Sequence, residues 1–416
     1  MVNKKSKLLE YSEIVRCGAC HSNSLTVIHD FGEVPLAGYF PKPDEVLIPL
    51  LPMKLLQCLN CTLHQISPDI SDRYLFEDYR YVSSIGMQSH FDELASWFKL
   101  SQEPRPDSRI VEFGCNDGPL LSSLTKLGFN PVGIDPASNI VQIARGKGLN
   151  VVNDFFGLDA LERYPELQNV DFIFSSNSFA HITDIFEIAD AVSRALAPNG
   201  RFIVEVQSLV ELLRTSAFDF IYHEHKYYYT IESISNLLEQ FGLTLIHCSI
   251  ITTHGGSYRL VFEKALTQIN SVILEKMRSD EQHFLASNGI GHAIEKYLNE
   301  LEKMDAYLGE VYRQGKRIIA FGASGRANML LGNLPVARKI LKFVIDESPE
   351  RISRMMAQNG LPVVGFNGID PKEYDVVVVL AWNYVREIIA KWNNSESLFV
   401  VPLPTFKVIQ DQSHTN

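Results

Sequence analysis

The sequence predicts an α/β chain: a small cysteine-bearing N-terminal module, a doubly wound Rossmann-like domain, then a helical connector and a second, smaller Rossmann-like domain. Three observations predict it. Two Cys-x-x-Cys pairs flank a proline-rich stretch near the N-terminus. A strand, glycine turn and helix pattern occurs at "RIVEFGCNDGPLLSSL" and again at "KRIIAFGASGRANMLL". After each, buried apolar runs alternate with helical periodicity, as in a parallel sheet covered on both faces.

The first region is read as residues 1–85. It holds "CGAC" (Cys17, Cys20) and "CLNC" (Cys58, Cys61), separated by prolines and glycines that suit short strands and turns. Of six cysteines, Cys115 and Cys248 stand alone and the other four pair as two knuckles. So small a module has little core of its own, and one tetrahedral zinc ion held by four thiolates would staple it. Four thiolates leave no open position, so the role expected of zinc is structural. His21 and His64 are read as bystanders.

The second region is read as residues 86–265. "HFDELASWFKLSQ" has helical periodicity, and strands follow at "NPVGIDPA", "GLNVVNDFFG", "VDFIFSSNSFAHI" and "APNGRFIVEVQS". The third, 266–416, opens with long helical patterns and continues with strands at "ILKFVIDESPE" and "YDVVVVLAWNYVREII". Composition narrows the function. The net charge of −11 with no basic block argues against general nucleic-acid binding. There is no apolar h-region and no run long enough to span a bilayer, so the cytosol is the expected compartment, without membrane association.

"EFGCNDGPL" carries the candidate cofactor pocket. Gly114 and Gly118 allow close backbone approach, and Asp135, about twenty residues on, is placed for ribose hydroxyls. The spacing is G-x-x-x-G, with Asn116 where a dinucleotide site would have its middle glycine. Glu112 just before the turn would repel a pyrophosphate but tolerate a sulfonium and an ammonium group. This favours S-adenosylmethionine over NAD. Asp154 and Phe155 at the next strand end could hold an adenine edge, and Asn177 points toward the same crevice.

"FIYHEHKYYY" (220–229) packs four tyrosines, two histidines and a glutamate into ten positions. A metal site, an acid/base site and a polar loop with aromatic anchors all compete for it. Histidines at i and i+2 make poor helical metal geometry, and no third ligand is obvious. "FGASGRANML" places Gly322, Ser324 and Gly325 at a helix N-terminus, a natural phosphate cradle, with Asp346 ending the next strand. Fold logic alone would allow a dinucleotide there.

In order, "CxxC…CxxC", "YRYVSS", "EFGCNDGPLL", "NSFAHITD", "YHEHKYYY", "FGASGRANMLL" and "AWNY" resemble the sugar C-methyltransferase family over nearly the whole chain. Those enzymes use S-adenosylmethionine to methylate the third carbon of a nucleotide-linked 4-keto-6-deoxy sugar. The resemblance implies a zinc module, a methyltransferase domain and a C-terminal domain that holds the nucleotide diphosphate sugar; a monomer is expected. It implies that His225 is the general base, with Tyr222 and Glu224 beside it and His181 as a further donor. It places Tyr79, Tyr81 and Ser84 of "FEDYRYVSS" along the active site, Ser84 toward the cofactor. His254 and Gly255 of "THGGSYRL" suit a strand bulge or a loop against substrate. Gly322, Ser324, Gly325, Arg326 and Asp346 would hold the nucleotide. Relatives often have lysine where Arg326 stands, and a lysine- and glycine-rich stretch where this chain has "ERISRMMAQNGLPV", which leaves the nucleotide base open. Other readings remain: an O- or N-methyltransferase on a related sugar, an NAD-linked oxidoreductase, and a non-catalytic zinc scaffold.

Overall fold

The computed structural model describes residues 11–45, 48–71, 82–264, 271–392 and 396–410. In the N-terminal module β1 (Tyr11–Ser12) pairs antiparallel with β5 (Asp69–Ile70), and β2 (Leu25–Val34), β3 (Leu51–Cys58) and β4 (His64–Ser67) form an antiparallel meander. The two knuckles close the ends of these strands. Each is the same turn used twice. The first cysteine donates its N–H to the carbonyl five residues on (Cys17 to Ser22, 2.9 Å; Cys58 to Leu63, 2.8 Å), and the residue four on donates back at 3.0 Å. That residue four on, His21 or Thr62, takes a left-handed conformation (φ 57° and 64°).

The central domain is a seven-stranded sheet. Its parallel part consists of β6 (Ile110–Phe113), β7 (Val132–Asp135), β8 (Val151–Asn153), β9 (Val170–Ser176) and β10 (Leu196–Gln207). Next in the chain, β11 (Tyr227–Tyr228) leaves this sheet altogether. It pairs antiparallel with β4 and becomes the fourth strand of the N-terminal sheet. β12 (Leu243–Ile251) and β13 (Ser257–Lys264) then return as an antiparallel hairpin, giving the order β12-β13-β10-β9-β6-β7-β8. The order reverses at β6, so the ligand crevice of such a sheet lies beyond the carboxyl ends of β6 and β9. The helix Ile231–Leu238 starts immediately after the tyrosine run because Thr230 and Ser233 form a reciprocal capping box.

Helices Val272–Ala286 and Gly289–Arg313 connect to the C-terminal sheet. It is made of β14 (Ile318–Phe321), β15 (Val344–Asp346), β16 (Val363–Gly365), β17 (Val376–Val379), β18 (Leu398–Val401) and β19 (Lys407–Gln410). The order is β16-β15-β14-β17-β18-β19, parallel except for β19. Both Rossmann-like expectations hold. The cores are shared between regions. Cys17, Cys58 and Leu63 pack with Phe179, Tyr227, Tyr229 and Leu260 of the central domain. Met53, Leu55 and Ile66 pack with Phe218, Phe220 and Tyr228, and with Met329, Leu330 and Val378 of the C-terminal sheet. The 218–229 run thus lies where all three regions meet. No helix among the described residues is long and apolar enough to cross a membrane.

Candidate active site

The four knuckle sulfurs lie within 4.8 Å of one another. Cys17 and Cys61 Sγ are 3.4 Å apart, Cys20 and Cys58 Sγ 3.5 Å. A zinc ion with Zn–S bonds of about 2.3 Å needs sulfurs about 3.8 Å apart, so the donor set fits. The Ala19 N–H points at Cys17 Sγ (3.4 Å), which supports a thiolate there. A hydrogen bond from Cys61 pulls Cys17 down to about 5.

At the carboxyl end of β6, the chain turns through Gly114 (φ 65°), Asn116 (φ 52°) and Gly118 (φ 76°). A Cβ on Gly114 would sit 2.4 Å from Ser178 Cβ, so only glycine fits. Asp135 closes the turn from β7: its carboxylate accepts from Asn116 N and Ala137 N, both at 2.9 Å. Asn116 and Asp117 reach back to cap the start of helix Ser84–Ser101, accepting from Ser83 N (3.0 Å) and Ser84 N (3.1 Å). Ser84 is therefore beside the turn. Tyr79 and Tyr81 lie outside the described residues. Glu112 is buried, and burial raises its pKa well above the usual range, helped by Asp135, Glu205 and Asp117. Its Oε2, Asn177 Oδ1 and Gln207 Oε1 are buried acceptors without a hydrogen bond among the described residues. All three stand at the same end of the sheet, on β6, after β9 and at the end of β10. Asn177 holds a left-handed backbone (φ 60°) with its N–H on the Glu205 carbonyl (2.8 Å). Unmet buried acceptors in a field of carboxylates call for a cationic, donor-rich ligand. Asp154 is taken up by Arg163 (2.7 Å) and Tyr164 (3.2 Å), and the Phe155 ring is 56% exposed at the rim.

Beside this crevice, His225 is almost fully buried. Its Nδ1 is 3.0 Å from the Phe220 carbonyl and its Nε2 is 2.9 Å from the Tyr222 hydroxyl. A carbonyl only accepts, so Nδ1 carries the proton and Nε2 presents its lone pair. Burial pushes its pKa well below the ordinary value, with His181 and His254 adding to the effect. The His181 ring meets it edge-on at 4.7 Å. Glu224 is oriented by Gly38 N, which donates to Oε1 at 2.6 Å, and burial raises its pKa. His223 donates to the Pro52 carbonyl (3.1 Å), so it docks the run on the N-terminal sheet. Tyr227, Tyr228 and Tyr229 are all buried. His254 and Gly255 form a short 3-10 turn between β12 and β13, not a bulge within a strand, and His254 faces the Phe220 ring at 5.9 Å.

In the C-terminal sheet, Gly322 (φ 101°) turns the chain against Ala381. Ser324 caps helix Gly325–Gly332 by accepting from Ala327 N (3.2 Å). Gly325 abuts the Ala37 carbonyl of the N-terminal module. Arg326 turns toward Asp219, and Asp346 accepts from Ser348 N (2.7 Å) with Arg351 at 3.4 Å.

One network had no motif to announce it. Glu205 on β10 bonds His90 (2.6 Å) and Arg259 of β13 (2.7 Å), and Arg259 grips Glu93 through two nitrogens (3.0 and 2.6 Å). Its members are up to 166 positions apart. The local hint was one charged residue inside each of two apolar strands, Glu205 and Arg259, which stand opposite each other in the β10–β13 pair.

Residues 87–248 match a family model described as a methyltransferase domain, and residues 252–404 one described as a C-methyltransferase C-terminal domain. The chain is 29% identical over 421 aligned residues to the C-methyltransferase NovU of Streptomyces niveus, covering 96% of this chain and 98% of that protein. An uncharacterised methyltransferase of Oceanobacillus iheyensis is 25% identical over 170 residues, 37% of this chain and 75% of its own. Among solved structures, magnesium protoporphyrin IX methyltransferase of Synechocystis PCC 6803 with bound SAM aligns over 46% of this chain and 89% of its own. That alignment has 14% identity and a TM-score of 0.35. The class that the family models and the full-length relative support is a methyltransferase. The particular relative matched along nearly the whole length is a C-methyltransferase.

Proposed function

We propose that this chain is an S-adenosylmethionine-dependent C-methyltransferase that methylates the third carbon of a nucleotide-linked 4-keto-6-deoxy sugar. One observation carries the reading: a buried imidazole whose Nε2 lone pair is fixed by the Phe220 carbonyl on its other nitrogen, with a phenol at 2.9 Å.

A carbon nucleophile has to be made before it can be methylated. His225 Nε2 takes the proton from the carbon next to the ketone. The electron pair moves toward the ketone oxygen, and the enolate is met by a donor. Tyr222 is in place for that role: its O–H donates to Nε2 at 2.9 Å here, and a substrate carbon that takes its place at the lone pair releases the O–H to donate to the enolate oxygen. His181, edge-on to the base, is the second candidate donor. Glu224, held by Gly38, would accept from a sugar hydroxyl through Oε2, which has no partner among the described residues. S-Adenosylmethionine, when bound, supplies an electrophilic methyl group. Glu112, Asn177 and Gln207 provide acceptors for its cationic end, and Asp135 and the Gly114–Gly118 turn suit its ribose and adenosine. The turn at Gly322–Gly325 and Asp346 are assigned to the nucleotide. The knuckles, loaded with zinc, brace the sheet that β11 completes. Positioned bases of this kind contribute about 10²–10⁴-fold.

The test is incubation with S-adenosylmethionine and a panel of nucleotide 4-keto-6-deoxy sugars, with mass and NMR readout. The expected product has one added methylene on carbon, and the hydrogen next to the ketone exchanges with solvent. A methyl found on oxygen or nitrogen, with no exchange, would overturn the proposal. His225→Ala should abolish exchange while cofactor still binds.

A further inference from the structure

The geometry points to a second layer of control over the base, built from the C-terminal domain. We propose that Arg326 and Asp219 are positioning residues that hold the Phe220 carbonyl on His225 Nδ1, coupling the ligand crevice of the C-terminal sheet to the tautomer of the base. This rests on the reading of His225 as the base.

Asp219 and Phe220 are adjacent in the 3-10 turn Phe218–Phe220 that leads into the histidine run. Asp219 is fully buried. Its Oδ2 accepts from Arg326 Nε (2.8 Å) and Trp382 Nε1 (2.9 Å), with Arg326 Nη2 at 2.7 Å. The Arg326 guanidinium also lies 3.8 Å from the centre of the Phe220 ring and 4.7 Å from that of Trp382. Its Nη1 donates to Asn383 Oδ1 (3.0 Å). The C-terminal domain thus grips both residues of the dipeptide, one by charge and one by its ring. The Phe220 carbonyl then accepts from His225 Nδ1 and from the Tyr228 hydroxyl (3.2 Å).

The place of the clamp in the fold carries the coupling. Arg326 follows β14 and Trp382 follows β17, neighbouring strands on either side of the point where the C-terminal order reverses. That is where such a sheet binds ligands. A ligand at the Ser324–Gly325 helix start therefore lies against the group that fixes the base. Lysine could supply the charge at 326 but neither the paired Nε and Nη1 hydrogen bonds to Asp219 and Asn383 nor the stacking. The groups facing His225 are Tyr222 and Tyr228 from its own run, His181 from the β9 turn and His254 from the β12–β13 turn. Among the described residues facing the ring, none is a carboxylate.

The test uses the full-length protein with Arg326→Met, Arg326→Lys, Trp382→Phe and His225→Ala. In Arg326→Met, kcat and the solvent exchange next to the ketone should fall together by about 10²-fold, as expected for a misplaced catalytic group. The KM for S-adenosylmethionine should hold. The 15N spectrum of His225 should change from the Nδ1–H tautomer to a mixture. Added ethylguanidinium should restore part of the rate, and Arg326→Lys should not match wild type. Wild-type exchange with an unchanged tautomer in Arg326→Met would overturn the proposal. So would a loss confined to the KM for the sugar nucleotide, which would make Arg326 a ligand contact only. If Arg326→Met does not fold, Trp382→Phe, which removes a single N–H, should lower exchange about fivefold; wild-type behaviour there overturns the proposal equally. Full exchange in His225→Ala would sink the base reading itself, and the positioning role with it. An inactive His225→Ala beside a wild-type Arg326→Met sinks only the positioning role.

Discussion

Replacing His64 with leucine should flatten part of the acid sensitivity of this protein. His64 is fully buried on β4, opposite Gln57 of β3 on one side and Tyr228 of β11 on the other. Neither ring nitrogen makes a full hydrogen bond among the described residues. Burial lowers its pKa from 6.5 to about 4, and the Thr62 backbone offsets that only in part. The sign follows from linkage. Above pH 6.5 the ring is neutral in both folded and unfolded chains and contributes nothing. As pH falls below 6.5 the unfolded chain binds a proton that the folded chain refuses, so stability is lost until about pH 4, where the loss levels off. The interval from 6.5 to about 4 is worth roughly 3 kcal/mol in all, of which about 1.3 kcal/mol falls between pH 7.5 and 5.5. Leucine removes this term and leaves every other titrating group in place. Urea unfolding of zinc-loaded wild type and His64→Leu, followed by circular dichroism at the two pH values, should show the variant gaining about 1.3 kcal/mol on wild type at the lower pH. A stability difference that is the same at both pH values would refute the reasoning.

Two further outcomes follow from the site. Removing zinc with a chelator, or Cys58→Ser, should release one zinc per chain. It should also loosen β4 and β11, read as faster amide exchange at Tyr227 and Tyr228 before any global unfolding. Glu112→Gln should weaken S-adenosylmethionine binding by about 10–100-fold, the worth of a hydrogen bond to a charged group. Because burial raises the Glu112 pKa, wild-type affinity should fall as pH drops through that pKa, and titration calorimetry of Glu112→Gln should show no such dependence.

Much of the site was legible because its signals are local. Gly114, Gly118 and Asp135 form one turn and the acid that closes it, and two Cys-x-x-Cys knuckles are self-contained turns of the same design. The density of protonatable groups at 220–229 singled out the run that the fold buries where the regions meet. It did not announce that Tyr227 and Tyr228 form a strand of the N-terminal sheet, pairing with Gln65 and His64, which lie 162 and 164 positions earlier in the chain. Pairing of that range leaves no periodic trace, since two residues are too short to alternate. The same holds for Arg326. A glycine turn followed by a basic residue reads as a phosphate cradle, and only the fold brings Asp219, 107 positions earlier, onto its guanidinium.

The three regions are therefore poorly described as a catalytic domain with two attachments. The N-terminal sheet receives β11 and orients Glu224 through Gly38; the central sheet carries the Gly114–Gly118 turn and His181; the C-terminal sheet clamps Asp219 and Phe220. His225 sits on the 218–229 segment, which packs against all of them. Burial of the His225 imidazole, which lowers its pKa and keeps it neutral, is a property of that junction. A carbon acid needs a neutral base shielded from water until the methyl donor and the ketone are both present. Under the proposed function, dividing the walls around His225 among three regions gives that condition a structural basis.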